Sequence, residues 1–256
     1  MKILFFFSLL CIAQIVSAQS VWQSKTSSWL SISPDQRKEC FTLNDNLKKY
    51  LDKARNELTS TKEVLALAKS KGFKEFTERS QVKPGAKLWI NNRDRAIALV
   101  VVGSNQMITG SRLIATHHDS PRIDIKARPL YDASGFGMLQ TIFYGGIKKY
   151  HWANIPLMLI GRVDTKDGKT IEVSIGDDPD EPVLIIPDAA PHADAPLRTR
   201  VYTGVFEGEE LDPIIGSMPS AKGSITAQVM ATLTEQFGII EEDLVSAELN
   251  LVPATQ

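Results

Sequence analysis

A change of period near Pro84-Gly85 most limits what this chain folds into. Before it, apolar residues recur at helical spacing; after it, they come in short unbroken or alternating runs bounded by turn residues. The expected class is therefore α/β, an α/β portion followed by a β-rich portion with one late helix. Ser33-Pro34-Asp35-Gln36 supplies an N-cap, a first-turn proline and a capping-box partner in order. Leu43, Leu47, Tyr50, Leu51, Ala54 and Leu58 follow at helical spacing and predict one apolar stripe facing a core. A second start is read at Ser60-x-x-Glu63, with Val64, Leu65, Leu67 and Ala68 behind it and Lys69, Lys71 and Gly72 closing it.

Beyond the period change, Lys87 to Asn91 reads as a strand. Ile97 to Val102 is a continuous apolar run, the pattern of a strand buried on both faces of a sheet. Arg112 to Thr116 is a third such run and stops abruptly at His117-His118-Asp119-Ser120-Pro121. From about Ile123 onward the pattern is short strands and polar turns, with Leu157–Val163, Thr170–Ile175 and Val183–Ile186 as strand examples. A helix over about Ile225–Phe237, closed by Gly238, precedes a last strand-like stretch, Ala247–Val252.

Composition narrows the partners. Among 256 residues, 29 Lys and Arg stand against 30 Asp and Glu, which leaves no basic footprint for nucleic acid and no polybasic patch for an anionic membrane. The first 18 residues carry one lysine, an apolar run and Val16-Ser17-Ala18 before Gln19, the pattern of a cleavable signal peptide. That run is shorter than the roughly 20 residues of a membrane span, so the expected location is secreted or extracytoplasmic. Removing the leader takes Cys11 with it and leaves Cys40 as a lone thiol, so no intrachain disulfide is expected.

The His117-His118-Asp119-Ser120 cluster is the sharpest chemical feature. A neutral imidazole is a good zinc ligand, and a nearby carboxylate can orient it from behind. Consecutive residues at a strand end point in opposite directions, so one of the two histidines at most faces a metal. Other candidates carry less. His151 beside Trp152 reads as packed or surface, and His192 with Asp188 and Asp194 lies in an alanine- and proline-rich loop. Glu209-Glu210 and Glu241-Glu242 read as solvated charges. Tyr144-Gly145-Gly146 lacks the rest of a phosphate-binding loop, and neither a Gly-x-Ser-x-Gly elbow nor a histidine partner for Cys40 is present.

Taken together, Ile114-Ala-Thr-His-His-Asp-Ser-Pro-Arg-Ile-Asp-Ile-Lys126 and Tyr144-Gly-Gly-Ile-Lys-Lys-Tyr-His-Trp152 resemble the zinc aminopeptidases of peptidase family M18, most like their prokaryotic-type branch. Gly176-Asp177-Asp178-Pro179, Ile186-Pro187-Asp188, Gly216-Ser217-Met218-Pro219 and Glu241 to Leu249 extend the match over roughly residues 30–254. The resemblance implies the first half of a zinc-exopeptidase α/β catalytic domain, over residues 19–125 after the signal peptide 1–18. An inserted β-rich, barrel-like oligomerisation domain is implied over 126–256. It also implies a pair of zinc ions per complete active site, peptide substrates trimmed from the N-terminus, and a homo-oligomer or association with a full-length homologue. By position, His117 takes the place of the family's first zinc-ligand histidine and Asp119 that of the aspartate supporting it. His118 stands where the family has threonine and carries no metal.

The resemblance also implies a shortfall. In the family, the stretch matching Ala247 to Pro253 is followed by sequence that supplies the bridging aspartate, the catalytic glutamate and its neighbour, a further aspartate and the last histidine. One imidazole cannot hold a catalytic zinc, which ordinarily takes three protein ligands and a water. The expectation is a metalloaminopeptidase by family whose activity is incomplete in this chain alone. The alternative is a secreted non-catalytic subunit or binding module derived from such an enzyme.

Overall fold

The computed structural model describes residues 26–195, 199–201 and 204–254. The signal peptide expected at residues 1–18 lies outside them. The chain divides into two compact units, one ending at Lys49 and the other beginning at Tyr50. Among the described residues no helix is long and apolar enough to cross a membrane.

Most of the described part of the first unit lies in helix α1, Pro34–Leu51. Its start is the reciprocal box that the sequence predicts. Gln36 N–H donates to Ser33 Oγ at 3.2 Å, and Ser33 N–H donates to Gln36 Oε1 at 2.8 Å. Ahead of it, the Trp29 ring lies 5.9 Å from that of Phe41, and the Arg37 guanidinium sits over Trp29. The stripe does not face a core, because no residue of α1 is buried and Phe41, Leu43, Leu47 and Leu51 are exposed. The helix also stops at Leu51, which leaves Ala54 and Leu58 outside it.

The first helix to start in the second unit is α2, Glu57–Ser70, whose cap lies four residues before the expected one at Ser60. Asn56 is its N-cap: Oδ1 accepts from Thr59 N–H at 2.9 Å, while Thr59 Oγ1 accepts from Asn56 N–H at 3.0 Å. Ser60 is instead buried inside the helix. A three-stranded sheet follows, formed by β1 (Lys74–Glu75), β2 (Lys87–Asn92) and β3 (Ala96–Val101) in that order. β2 pairs antiparallel with β3, with Trp89 opposite Leu99, and the Lys69 ammonium lies 5.6 Å from the Trp89 ring.

Two expectations fail beside this sheet. β3 is not buried on both faces, since it is the edge strand and Leu99, Val100 and Val101 are all exposed. The run Arg112–Thr116 forms no strand at all; Leu113 is 87% and Ile114 90% exposed. The reason is common to both: an apolar run becomes a buried strand only when a neighbouring strand takes its ladder bonds and a second layer covers its side chains. β3 has β2 on one side only and no layer over its exposed side chains, and residues 112–116 have neither a partner strand nor a cover among the described residues.

The larger part of the second unit is a six-stranded, wholly antiparallel sheet. Its strands are β4 (Arg122–Ala133), β5 (Phe136–Tyr144), β6 (Leu157–Asp164), β7 (Thr170–Ile175), β8 (Ile214–Gly216) and β9 (Glu248–Pro253), in the order β7-β6-β9-β4-β5-β8. The β4–β5 hairpin turns at Ser134-Gly135, both with positive φ, as a tight two-residue turn requires. Helix α3, Ile225–Phe237, is capped by Ser224 and closed by left-handed Gly238, over the residues that the sequence predicts. Ile123, Leu157, Leu159, Ile186, Leu211 and Leu251 are fully buried in one apolar cluster, contributed by β4, β6, β9 and the loops after β7. Gly161, in β6, has φ 146°, and a Cβ there would stand 1.9 Å from the Glu248 carbonyl oxygen on β9. The two backbones meet at that point only because the residue has no side chain.

Candidate functional site

The loop 117–121 runs straight into β4, and its side chains diverge as the local geometry requires. His118 turns inward. Its Nδ1 lies 3.0 Å from Ser60 Oγ on α2 and its Nε2 lies 2.8 Å from the Arg95 carbonyl oxygen in the β2–β3 turn. A neutral ring satisfies both contacts, with Nε2–H donating to the carbonyl and Nδ1 accepting from the serine hydroxyl. Ser60 is in turn 2.7 Å from the Tyr50 hydroxyl. With both nitrogens engaged, His118 pins the loop and has no lone pair left for a metal.

His117 turns outward, its side chain 84% exposed, with Nδ1 2.6 Å from Asp119 Oδ1. A carboxylate on Nδ1 selects the tautomer that carries its proton there, and the Nε2 lone pair then faces solvent. Asp119 is 18% exposed, and its second oxygen lies 3.8 Å from Arg122 Nη1.

Arg122 begins β4 and is 8% exposed. Its Nε donates to Asp124 Oδ1 at 2.8 Å and its Nη1 to Glu57 Oε2 at 3.0 Å, while the Tyr144 ring lies against its guanidinium, 4.2 Å to the centroid. Burial opposes its charge, but the hydrogen bond and attraction to Asp124, and then Glu57, outweigh that and hold the guanidinium above its ordinary value. Asp124 Oδ1 also accepts from Asn250 Nδ2 at 2.7 Å, and Asn250 Oδ1 accepts from Asn56 Nδ2 at 2.8 Å. A continuous polar chain thus runs from the cap of α2, through β9 and β4, to the outward-facing imidazole.

The remaining candidates are dispersed. His151 is exposed in a short helical turn with the Tyr150 ring 4.4 Å away, and His192 is exposed in another turn. Asp188 is held by its backbone, its N–H donating to Asn154 Oδ1. Glu209 pairs with Lys126 and Glu210 with Arg200, while Glu241 and Glu242 are exposed. Cys40 is exposed. Among the described residues no group of three or more His, Cys, Asp or Glu side chains is disposed to hold a metal ion.

Sequence reasoning missed the polar chain behind His117. Arg122 and Asp124 were within reach of it, since residues two apart in a strand share a face. Glu57, Asn56 and Asn250 have no local signal, because only the fold brings them to β4.

The comparisons agree with one another. The family described as "Aminopeptidase I zinc metalloprotease (M18)" matches residues 50–256. The "Probable M18 family aminopeptidase 1" of Borreliella afzelii is 36% identical over 234 residues, covering 90% of this chain and 51% of that protein. The crystal structure of an M18 family aminopeptidase from Thermotoga maritima superposes with a TM-score of 0.84 at 33% identity, over 91% of this chain and 51% of that one. The S. cerevisiae mApe1 dodecamer shares the fold at 18% identity and a TM-score of 0.61, over 84% of this chain and 48% of that one. This chain therefore spans about half the length of the relatives that it matches, and the mixed α/β architecture is theirs over that half. The chain belongs to the M18 family of aminopeptidases.

Proposed function

We propose that this chain contributes the first ligand, His117, and its supporting carboxylate, Asp119, to a zinc aminopeptidase site that removes N-terminal residues from peptides. The observation that carries this reading is the His117–Asp119 pair, an exposed imidazole fixed through Nδ1 at 2.6 Å with Nε2 directed outward. Such a pair suits one ligand position of a zinc ion, as an oriented neutral imidazole should. It does not make a complete site, because no group of three or more His, Cys, Asp or Glu donors is assembled among the described residues. Zinc bound in a complete site supplies a Lewis acid and a water of lowered pKa.

The residues of this chain do the positioning. Asp119 holds the imidazole tautomer, His118 pins the loop to α2 and to the β2–β3 turn, and Pro121 hands the chain on to β4. The general base and the other ligands would come from the half of the family's length that this chain does not span. The exposed apolar residues of β3 and of 107–116 support the same reading, since they are where a larger catalytic domain would continue. A homo-oligomer or a complex with a longer homologue belongs to the same proposal.

Zinc content and peptide cleavage measured together test it. The chain alone, dialysed against zinc, is expected to retain well below one ion and to release no N-terminal residue. Mixed with a polypeptide covering the other half of an M18 relative, it should gain both, and His117→Ala should abolish both. Zinc near two per chain with cleavage by this chain alone would overturn the reading, and so would full activity of the mixture with His117→Ala.

A further inference from the structure

The orientation of His117 is not set by packing. Its side chain is almost wholly in solvent, and between Val102 and Arg122 the chain has no strand to hold it. What fixes the ring is the carboxylate of Asp119, so the question becomes what fixes Asp119. One carboxylate oxygen faces His117, and the cation within 4 Å of the other is Arg122.

We propose that Arg122 is a positioning residue for this pair. Its guanidinium, clamped by Glu57, Asp124 and the face of Tyr144, seats the Asp119 carboxylate so that His117 keeps its proton on Nδ1 and presents Nε2 outward. The inference rests on the reading of His117 as the metal-facing imidazole, and it adds the residue that sets the ring's orientation.

Three features carry it. The first is geometry: Nε is committed to Asp124 at 2.8 Å, which fixes the plane of the guanidinium, and Nη1 then lies 3.0 Å from Glu57 and 3.8 Å from Asp119. A planar fork serves several carboxylates at fixed angles; an ammonium acts as a point charge. The second is charge balance. Three carboxylates surround one guanidinium, so Asp119 is drawn to it while Glu57 and Asp124 keep it from swinging away. The third is rigidity. Asp124 is bonded to Asn250, which is 3% exposed on β9, and Asn250 to Asn56, which is 0% exposed at the cap of α2. Arg122 is therefore anchored to two elements distant in sequence, whereas Asp119 lies in a loop with no ladder bonds of its own.

The tautomer of His117 reads the proposal directly, without metal or substrate. Two-dimensional NMR of the 15N-labelled imidazole, in the metal-free chain at about pH 8, is expected to show Nδ1–H in the wild type. In the double variant Arg122→Met/Glu57→Gln, which avoids leaving an unpaired buried carboxylate at Glu57, the ratio of Nδ1–H to Nε2–H should fall about fivefold or more. His118, held by Ser60 and the Arg95 carbonyl, should keep its signals and serves as the internal control for folding. A double variant with native His118 signals and an unchanged His117 ratio overturns the proposal. Should the double variant fail to fold, Arg122→Lys takes its place. Lysine cannot hold Asp124 and face Asp119 together, so the ratio should again fall, and an unchanged ratio again overturns the proposal. The reading of His117 as a zinc ligand fails separately, when His117→Ala leaves the zinc content of the complemented enzyme intact.

Discussion

Asn56 shows how much one side chain can carry here. Its Oδ1 closes the first turn of α2, and its Nδ2 donates to Asn250, so one amide ends a helix and joins it to the centre of the large sheet. It is 0% exposed. Truncation removes a helix cap and leaves the Asn250 oxygen without its donor in a buried setting, two losses that together cost about 2–4 kcal/mol. Asn56→Ala should lower the unfolding free energy by that amount, read as a lower urea midpoint with the slope unchanged, while an exposed control such as Lys62→Ala moves the midpoint by much less. An unshifted midpoint would show that water replaces the amide in both roles. At this scale the sequence was half legible. His117 and Asp119 stand in a motif, and the pairing of one with the other follows from their spacing. The chain of Asn56, Asn250, Asp124 and Arg122 behind them does not, because its members lie up to 194 residues apart and nothing local marks them.

Among the elements, those whose signals are local came through. Helix α3 has a serine before it and a glycine after it, and strand β7 alternates between two turns; both lie where the sequence places them. The start of α2 was misplaced because Ser60-x-x-Glu63 imitates a capping box, whereas asparagine at 56 with threonine at 59 makes the working one. β3 and the run 112–116 were misread for a different reason: their apolar composition reports burial in a layer that these residues do not themselves supply. Between elements, β6 and β9 come into close backbone approach at Gly161. Gly161→Ala needs a positive φ that alanine resists and drives its Cβ into the Glu248 carbonyl, so the two strands must separate. The expected outcome is loss of several kcal/mol, seen as faster amide exchange along both β6 and β9. Exchange confined to the two residues flanking 161 would show that a local shift absorbs the methyl group.

For the molecule as a whole, the distribution of exposed apolar side chains is uneven in a telling way. The six-stranded sheet buries much of its apolar surface but leaves Phe136, Ile142, Phe143 and Tyr144 of β5 exposed; β3 presents an open edge, and Met107, Ile108, Leu113 and Ile114 stand in solvent nearby in sequence. Open edges and contiguous apolar surface invite association. The chain alone should therefore form larger species as its concentration rises, measurable by light scattering. Leu113→Lys/Ile114→Lys should shift it toward smaller ones, and an unchanged size distribution would place the contact elsewhere. The sheet order has a consequence for how the chain comes into being. β9 lies between β6 and β4, so the hairpins β4–β5 and β6–β7, made far earlier on the ribosome, have no shared ladder until residues 248–253 emerge. Through the synthesis of some 70 further residues after β7, the two hairpins are linked only by way of residues 184–186, which bridge to Leu157 on β6 and to Ile214 on β8. For that interval β4 and β6 each expose an edge where β9 will lie, and a nascent chain stalled before residue 248 is the form most in need of a chaperone.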